Sequence, residues 1–165
     1  RHLQERGYYQ CAEGGVDGVT SSSTDHLKDL PIAGRLIGEN FEGWAPEIKE
    51  EFEELSSDGH VGSKLLFENH RVRVWEIRLA PGQRWHAHRH ALDYFWTAIT
   101  AGTSRQRTYD GTTREVDYNP GDTRFYEFGP GESLLHDLEN IGDSELVFST
   151  VELLESANTP LPLSD

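Results

Sequence analysis

From Lys64 onward the chain alternates short runs of apolar and polar residues with clusters of turn formers. The runs KLLFE, VRVWEIRLA, DYFWTAIT, SRQRTYD, REVDY, DTRFYEF, SLLHDLEN and ELVFSTVELL read as strands, and APG, TAG, YDG, NPGD, GPG and IGD punctuate them. Eight short strands in this rhythm predict an all-β barrel or jelly roll, because closing a sheet removes its exposed edges and leaves a ligand-sized concavity at the mouth. Upstream, APEIKEEFEELSS predicts one helix. Pro46 suits the first helical position, Glu47 and Glu50 favour the amino end, and Ile48, Phe52 and Leu55 recur at helical spacing. This helix should lie across a sheet or a partner subunit.

The segment EGGVDGVTSSSTD, Glu13 to Asp25, has little that anchors a core and reads as a loop or flexible arm. The tail SANTPLPLSD carries two prolines and no periodicity, which predicts an extended strap on the surface. The expected organisation is one domain, with an arm and helix over 1–63, a barrel over 64–154 and a tail over 155–165. A chain of 165 residues with 35% hydrophobic content supports one core rather than two.

Charge narrows the partners. With 29 acidic against 15 basic residues, the formal net charge of −14 argues against nucleic acid and anionic membrane surfaces, which both draw affinity from concentrated lysine and arginine. No apolar run approaches the roughly 18 residues of a membrane span, and the start RHLQERGYYQ has no signal-like hydrophobic region. The single cysteine, Cys11, forms no internal disulfide framework and fits a reducing compartment, so a cytoplasmic location is the expectation.

The candidate chemistry lies in WHAHRH, which places His86, His88 and His90 at alternate positions. On an extended strand, side chains at i and i+2 share a face about 6–7 Å apart, so two imidazoles can converge on one ion. Three in succession span about 13 Å and cannot share an ion without a bend. Two of the three are therefore expected to be ligands. Farther along, Leu134, His136 and Leu138 share a face, and an imidazole among leucines needs a partner, for which a metal serves. His2, His26, His60 and His70 read as surface or satisfied core residues. Trp75, Trp85, Trp96, Phe125, Tyr126 and Phe148 read most simply as core or barrel lining. Arg73, Arg78, Arg105 and Arg107 are expected to form ion pairs with the acidic surface.

The stretch PGQRWHAHRHALDYFWTAITAG resembles the first motif of the cupin superfamily, small metal-binding β-barrels, in Gly82, the five-residue gap, His88 and His90, and the closing Gly102. In NPGDTRFYEFGPGESLLHDLEN, His136 and Asn140 match the second motif's His-x-x-x-Asn, while Gly131-Glu132-Ser133 replaces the expected Pro-x-Gly. The resemblance covers about residues 64 to 154. It implies a cupin-type β-barrel or double-stranded jelly roll with an N-terminal arm and one short helix, and it implies His88, His90 and His136 as metal ligands. The family's usual glutamate ligand falls here at Tyr94 or Phe95, so the implied site has three histidines, as in some cupins such as acetylacetone-cleaving and thiol dioxygenases.

Imidazole suits iron, zinc, copper and nickel alike, so residue type does not name the ion. The resemblance puts Fe(II) first, with Zn, Ni or Mn as alternatives. It leans to a dioxygenase acting on a small oxygenated organic substrate. Non-redox lyase, isomerase or cyclase chemistry is the alternative, and a non-catalytic ligand-binding or sensor cupin is a third. In the enzyme readings, Tyr94, His86 and Asp93 are candidates for moving a proton, with Asp93 also a reserve ligand, and Trp96 and Tyr126 are candidate substrate contacts. A homodimer is implied by the resemblance, with the arm before Lys64 reaching over a neighbour.

Overall fold

The computed structural model describes residues 32–163. The expectations for Cys11, His2, His26 and the Glu13 to Asp25 segment lie outside the described residues. Among those described, ten strands and one helix follow in the order β1 (Arg35–Gly38), α1 (Pro46–Glu54), β2 (Lys64–Glu68), β3 (Val72–Leu79), β4 (Arg84–His90), β5 (Tyr94–Ala98), β6 (Gly102–Arg107), β7 (Thr113–Tyr118), β8 (Thr123–Tyr126), β9 (Leu134–Asn140) and β10 (Leu146–Leu153). All eight runs expected as strands are strands. Two more join them: β1, and the histidine-bearing β4, which is too polar for a hydrophobic pattern to mark.

The strands form two antiparallel sheets, β1-β7-β6-β9-β4 and β2-β3-β10-β5-β8. Without the edge strands β1 and β2, the orders β7-β6-β9-β4 and β3-β10-β5-β8 alternate successive strands between the two sheets except at the β6–β7 hairpin, which is the eight-stranded jelly roll. The fold is all-β, of the cupin type. Facing side chains fill the space between the sheets, with Ile77, Leu79, Tyr94, Tyr118, Tyr126, Phe128, Leu134, Leu138, Leu146 and Phe148 all buried in one cluster. Trp85 and Trp96 pack against it.

Phe125 departs from its expected place in the core. Tyr94 pairs with Tyr126 and Phe95 with Phe125, so Tyr126 faces in and its neighbour faces out. Phe125 is 48% exposed.

The helix begins at Pro46, where the missing N–H costs nothing, and carries Glu47 in its first turn. It lies on the outer face of the first sheet, where Phe52 and Trp44 pack with Ala87 of β4 and Leu135 of β9. Glu51 accepts from the Ala87 backbone N–H at 2.8 Å and from both terminal nitrogens of Arg84. Beneath it Asp137, fully buried, accepts from Arg84 and Arg107 at 2.9 and 2.8 Å and from the Arg107 backbone N–H at 2.7 Å. The other arginines pair with acids as expected: Arg73 with Glu68, Arg78 with Glu76 and Glu145, and Arg105 with Glu115.

Candidate metal centre

Strands β4 and β9 are neighbours, with His88 directly opposite His136 and His90 opposite Leu134. Alternation then puts His88, His90 and His136 on the same inward face. They are 0%, 3% and 8% exposed, and each offers a nitrogen within 4.8 Å of the others'. The two motifs read in the sequence, 46 residues apart, therefore meet at one point.

His86 does not join them. Between the pairs Trp85↔Leu138 and His88↔His136, β4 advances three residues while β9 advances two. This bulge accommodates one extra residue and takes His86 out of strict alternation. Its ring packs tilted against Trp85 at 4.2 Å and its Nδ1 lies 3.6 Å from the Asp58 carboxylate, whose other oxygen accepts from His60 Nδ1 at 2.7 Å. The bulge also answers the length problem of three histidines on one strand, since only two remain to be accommodated.

The tautomers follow from the partners. His88 Nδ1 donates to the His86 carbonyl at 2.8 Å, and His136 Nδ1 donates to Gln106 Oε1 at 2.9 Å. Each therefore directs an unprotonated Nε2 into the cluster. His90 Nε2 lies 3.1 Å from His136 Nε2. Among the described residues, His88 Nε2 and His90 Nδ1 are buried without a hydrogen-bond partner. Burial lowers the basicity of all three rings: His88 is pushed down to about 4, and His90 and His136 well below the ordinary value, with neighbouring histidines adding to the effect. Neutral imidazole is the metal-binding form.

These residues fit a divalent metal. Two nitrogens each about 2.1 Å from one ion stand about 3.0 Å apart at an octahedral cis angle and about 3.4 Å apart at a tetrahedral one. The 3.1 Å between His90 and His136 falls in this range, and among the described residues the lone pair of His88 Nε2 meets no hydrogen-bond donor. The ligand class is borderline-soft and open to several ions.

The other residues singled out from the sequence divide. Tyr94, at the position of the family's glutamate, is 2% exposed and stacks on His90 at 3.8 Å and on Tyr126 at 5.0 Å. Burial raises its hydroxyl well above the ordinary tyrosine value, so it stays protonated. Trp96 lines the cavity at the cluster, a space of about 340 Å³ shared with Val61, Ile77, Tyr118, Leu138 and Phe148. Tyr126 lines a second space of about 250 Å³ beside it. Asp93 is held elsewhere: its carboxylate accepts from the Phe128 N–H at 2.8 Å, and its own N–H meets Ser156 Oγ at 2.9 Å. Asn140, matched to the second motif, clamps a turn through the Leu79 and Ser144 carbonyls and the Gly142 N–H. Gln106 and Tyr118 were not singled out in the sequence. The sequence carries a weak signal for Gln106 alone, the polar alternation of Ser104 and Gln106 on β6, which does not distinguish the two from each other.

Jelly-roll order and a buried three-histidine cluster on paired strands define a cupin-type fold with a candidate divalent-metal centre, and the resemblance read from the two motifs holds for fold and cluster. No protein-family model matches the chain, and no curated protein matches it. Among solved structures it is similar to a cupin domain from Bordetella pertussis Tohama I, at 29% identity over 55% of this chain and 88% of that one, with a TM-score of 0.49. It is also similar to a double-stranded β-helix protein from Klebsiella pneumoniae, at 21% identity over 62% and 82% with a TM-score of 0.47. Oxalate decarboxylase from Bacillus subtilis is similar at 27% identity, over 50% of this chain and 21% of that one, with a TM-score of 0.40. No helix among the described residues is long and apolar enough to cross a membrane.

Proposed function

We propose that this chain is a metal-dependent cupin enzyme that acts on a small oxygenated organic molecule, with His88, His90 and His136 holding a divalent transition metal, Fe(II) in the first instance. One observation carries the reading: three buried neutral imidazoles converge, two of them held by fixed hydrogen bonds with bare Nε2 atoms aimed at a common point. A metal bound there would supply open positions for substrate oxygens and polarise a carbonyl.

The chain's own residues supply the rest. Val61, Ile77, Leu138 and Phe148 make an apolar wall beside the cluster. Trp96 presents an aromatic surface to a planar substrate. Tyr94 sits over His90 with its proton retained, so Oη serves as a hydrogen-bond or proton donor to an oxygen that gains negative charge. Among the described residues the cavity lining holds no lysine, arginine or carboxylate. With this lining, substrate would be held through a metal on the three histidines and by the shape of the aromatic and apolar walls.

The test is oxygen uptake. Protein loaded anaerobically with Fe(II) and mixed with a panel of 1,3-dicarbonyl and catechol-like compounds should consume one O2 for each substrate molecule lost, and a His88→Ala, His90→Ala protein should not. Substrate loss without oxygen uptake would move the reading to non-redox chemistry. A protein that takes up no stoichiometric transition metal would overturn it in favour of a non-catalytic binding module.

A further inference from the structure

Behind His136 the site continues as a chain of neutral polar groups. Gln106 Oε1 accepts a hydrogen bond from His136 Nδ1–H at 2.9 Å, and the same amide donates through Nε2 to Tyr118 Oη at 2.8 Å and to Ser104 Oγ at 3.3 Å. The two hydroxyls are themselves 2.8 Å apart. Ser104, Gln106 and Tyr118 are 0%, 7% and 4% exposed, so no bulk water competes for these bonds. Strand pairing fixes the geometry, since Ser104 lies opposite Asn140 of β9 and opposite Val116 of β7. Gln106 therefore emerges on the same inner face as His136.

The partner of a ligand histidine's remote nitrogen sets its tautomer, ring orientation and basicity, and a carboxylate there makes the ring a stronger donor. Here the partner is a carboxamide, and His88 leans on a backbone carbonyl. Neither carries a charge.

We propose that Gln106 is a positioning residue of the centre: it holds His136 protonated on Nδ1 so that Nε2 faces the metal, and its neutrality leaves the cation's charge to be met by substrate. The inference rests on the metal-centre reading above. Tyr118 and Ser104 act through Gln106 by holding its NH2 group, which keeps the oxygen turned to His136.

Two measurements test it. In metal-free wild-type protein, ring 15N chemical shifts of His136 should report the Nδ1–H tautomer; an Nε2–H tautomer overturns the proposal whatever the metal affinity. Competition against a chromophoric chelator should then show Co(II) binding weakened about 10–100-fold in Gln106→Leu. Gln106→Glu should bind at least as tightly as wild type, with its visible Co(II) ligand-field bands shifted. Unchanged affinity and spectrum in Gln106→Leu, or equal losses in the Leu and Glu variants, would reduce Gln106 to a packing residue and leave the metal centre standing. Wild-type protein that binds no Co(II) brings down the metal-centre reading itself, which separates the two failures.

Discussion

His90 and His136 hold their Nε2 atoms 3.1 Å apart although 46 positions separate them in the chain. A lone pair directed at that gap from each ring is unfavourable unless a proton or a cation lies between them. His136 already has its proton on Nδ1, which leaves the gap to a proton on His90 or to a metal. Metal binding should therefore stabilise the fold by linkage. At a hundredfold excess over Kd the gain is about 2.7 kcal/mol, which for a chain of this size is roughly 5–10 °C in the unfolding midpoint. Thermal scans with Zn(II) or Co(II), reversed by chelator, should show that rise in wild type and none in His90→Ala or His136→Ala.

Glu152 should make the protein less stable as pH rises. Its carboxyl is 3% exposed on β10, accepts from Trp75 Nε1 at 2.8 Å, and faces Arg73 and Glu68. Burial pushes it up to about 7 from an ordinary 4.5; the Trp75 hydrogen bond and Arg73 act in the opposite direction, and Glu68 acts with the burial. Below about pH 4.5 both folded and unfolded forms are protonated and the group contributes nothing. Between 4.5 and 7 the unfolded chain ionises first, so stability falls by about 1.4 kcal/mol per pH unit, on the order of 3 kcal/mol in all, and stays lost above 7. Glu152→Gln keeps an acceptor for Trp75 and removes the titration. Urea midpoints should coincide for the two proteins at pH 4.5, and the variant should be more stable at pH 8.

Asp137 holds the helix to the sheet through Arg84. Its carboxylate is wholly buried between Arg84 and Arg107, and Arg84 passes the link to Glu51 of α1. Replacing one partner of a buried ionic group strands the others, at a cost of about 3–5 kcal/mol. Asp137→Ala should lose that much in chemical denaturation. Asp137→Asn, which retains an oxygen for the Arg107 N–H, should lose less.

The sequence makes the cluster legible because alternation along β4 and β9 and the two motif spacings depend only on local geometry. What it hides depends on register between strands distant in the chain. His86 lies at the same spacing from His88 as His90 does, yet one extra residue in β4, visible only against β9, removes it from the face. Phe125 and Tyr126 are adjacent, so one must face out, and the Tyr94↔Tyr126 pairing decides which. Gln106 meets His136 across 30 residues, and nothing in SRQRT singles it out from its neighbours. Five of the seven residues of strand β4 are histidine or arginine, so its inward face is apolar only in Trp85, and the hydrophobic pattern passes over it.

Gly34 should control how the start of the described chain closes the fold. Its φ is +111°, a conformation that L side chains rarely adopt, and an added Cβ would lie 2.4 Å from the Glu115 carbonyl oxygen and 2.7 Å from Val116 Cγ2. The bend lets the preceding residues turn inward: Ile32 is 6% exposed within the core, and with Ala33 it walls the space beside His136, Trp96 and Tyr118. Gly34→Ala should cost about 1–3 kcal/mol of strain if the bend persists, and Ile32→Ala about 2–5 kcal/mol through the cavity it leaves. The steric conflict is with backbone, so the bend should give way and take Ile32 with it. The two losses then share one cause and should not add. In a double-mutant cycle by urea unfolding, Ile32→Ala placed in the Gly34→Ala background should cost at least 1 kcal/mol less than in wild type. Full additivity would mean that Ile32 keeps its seat when the bend is strained.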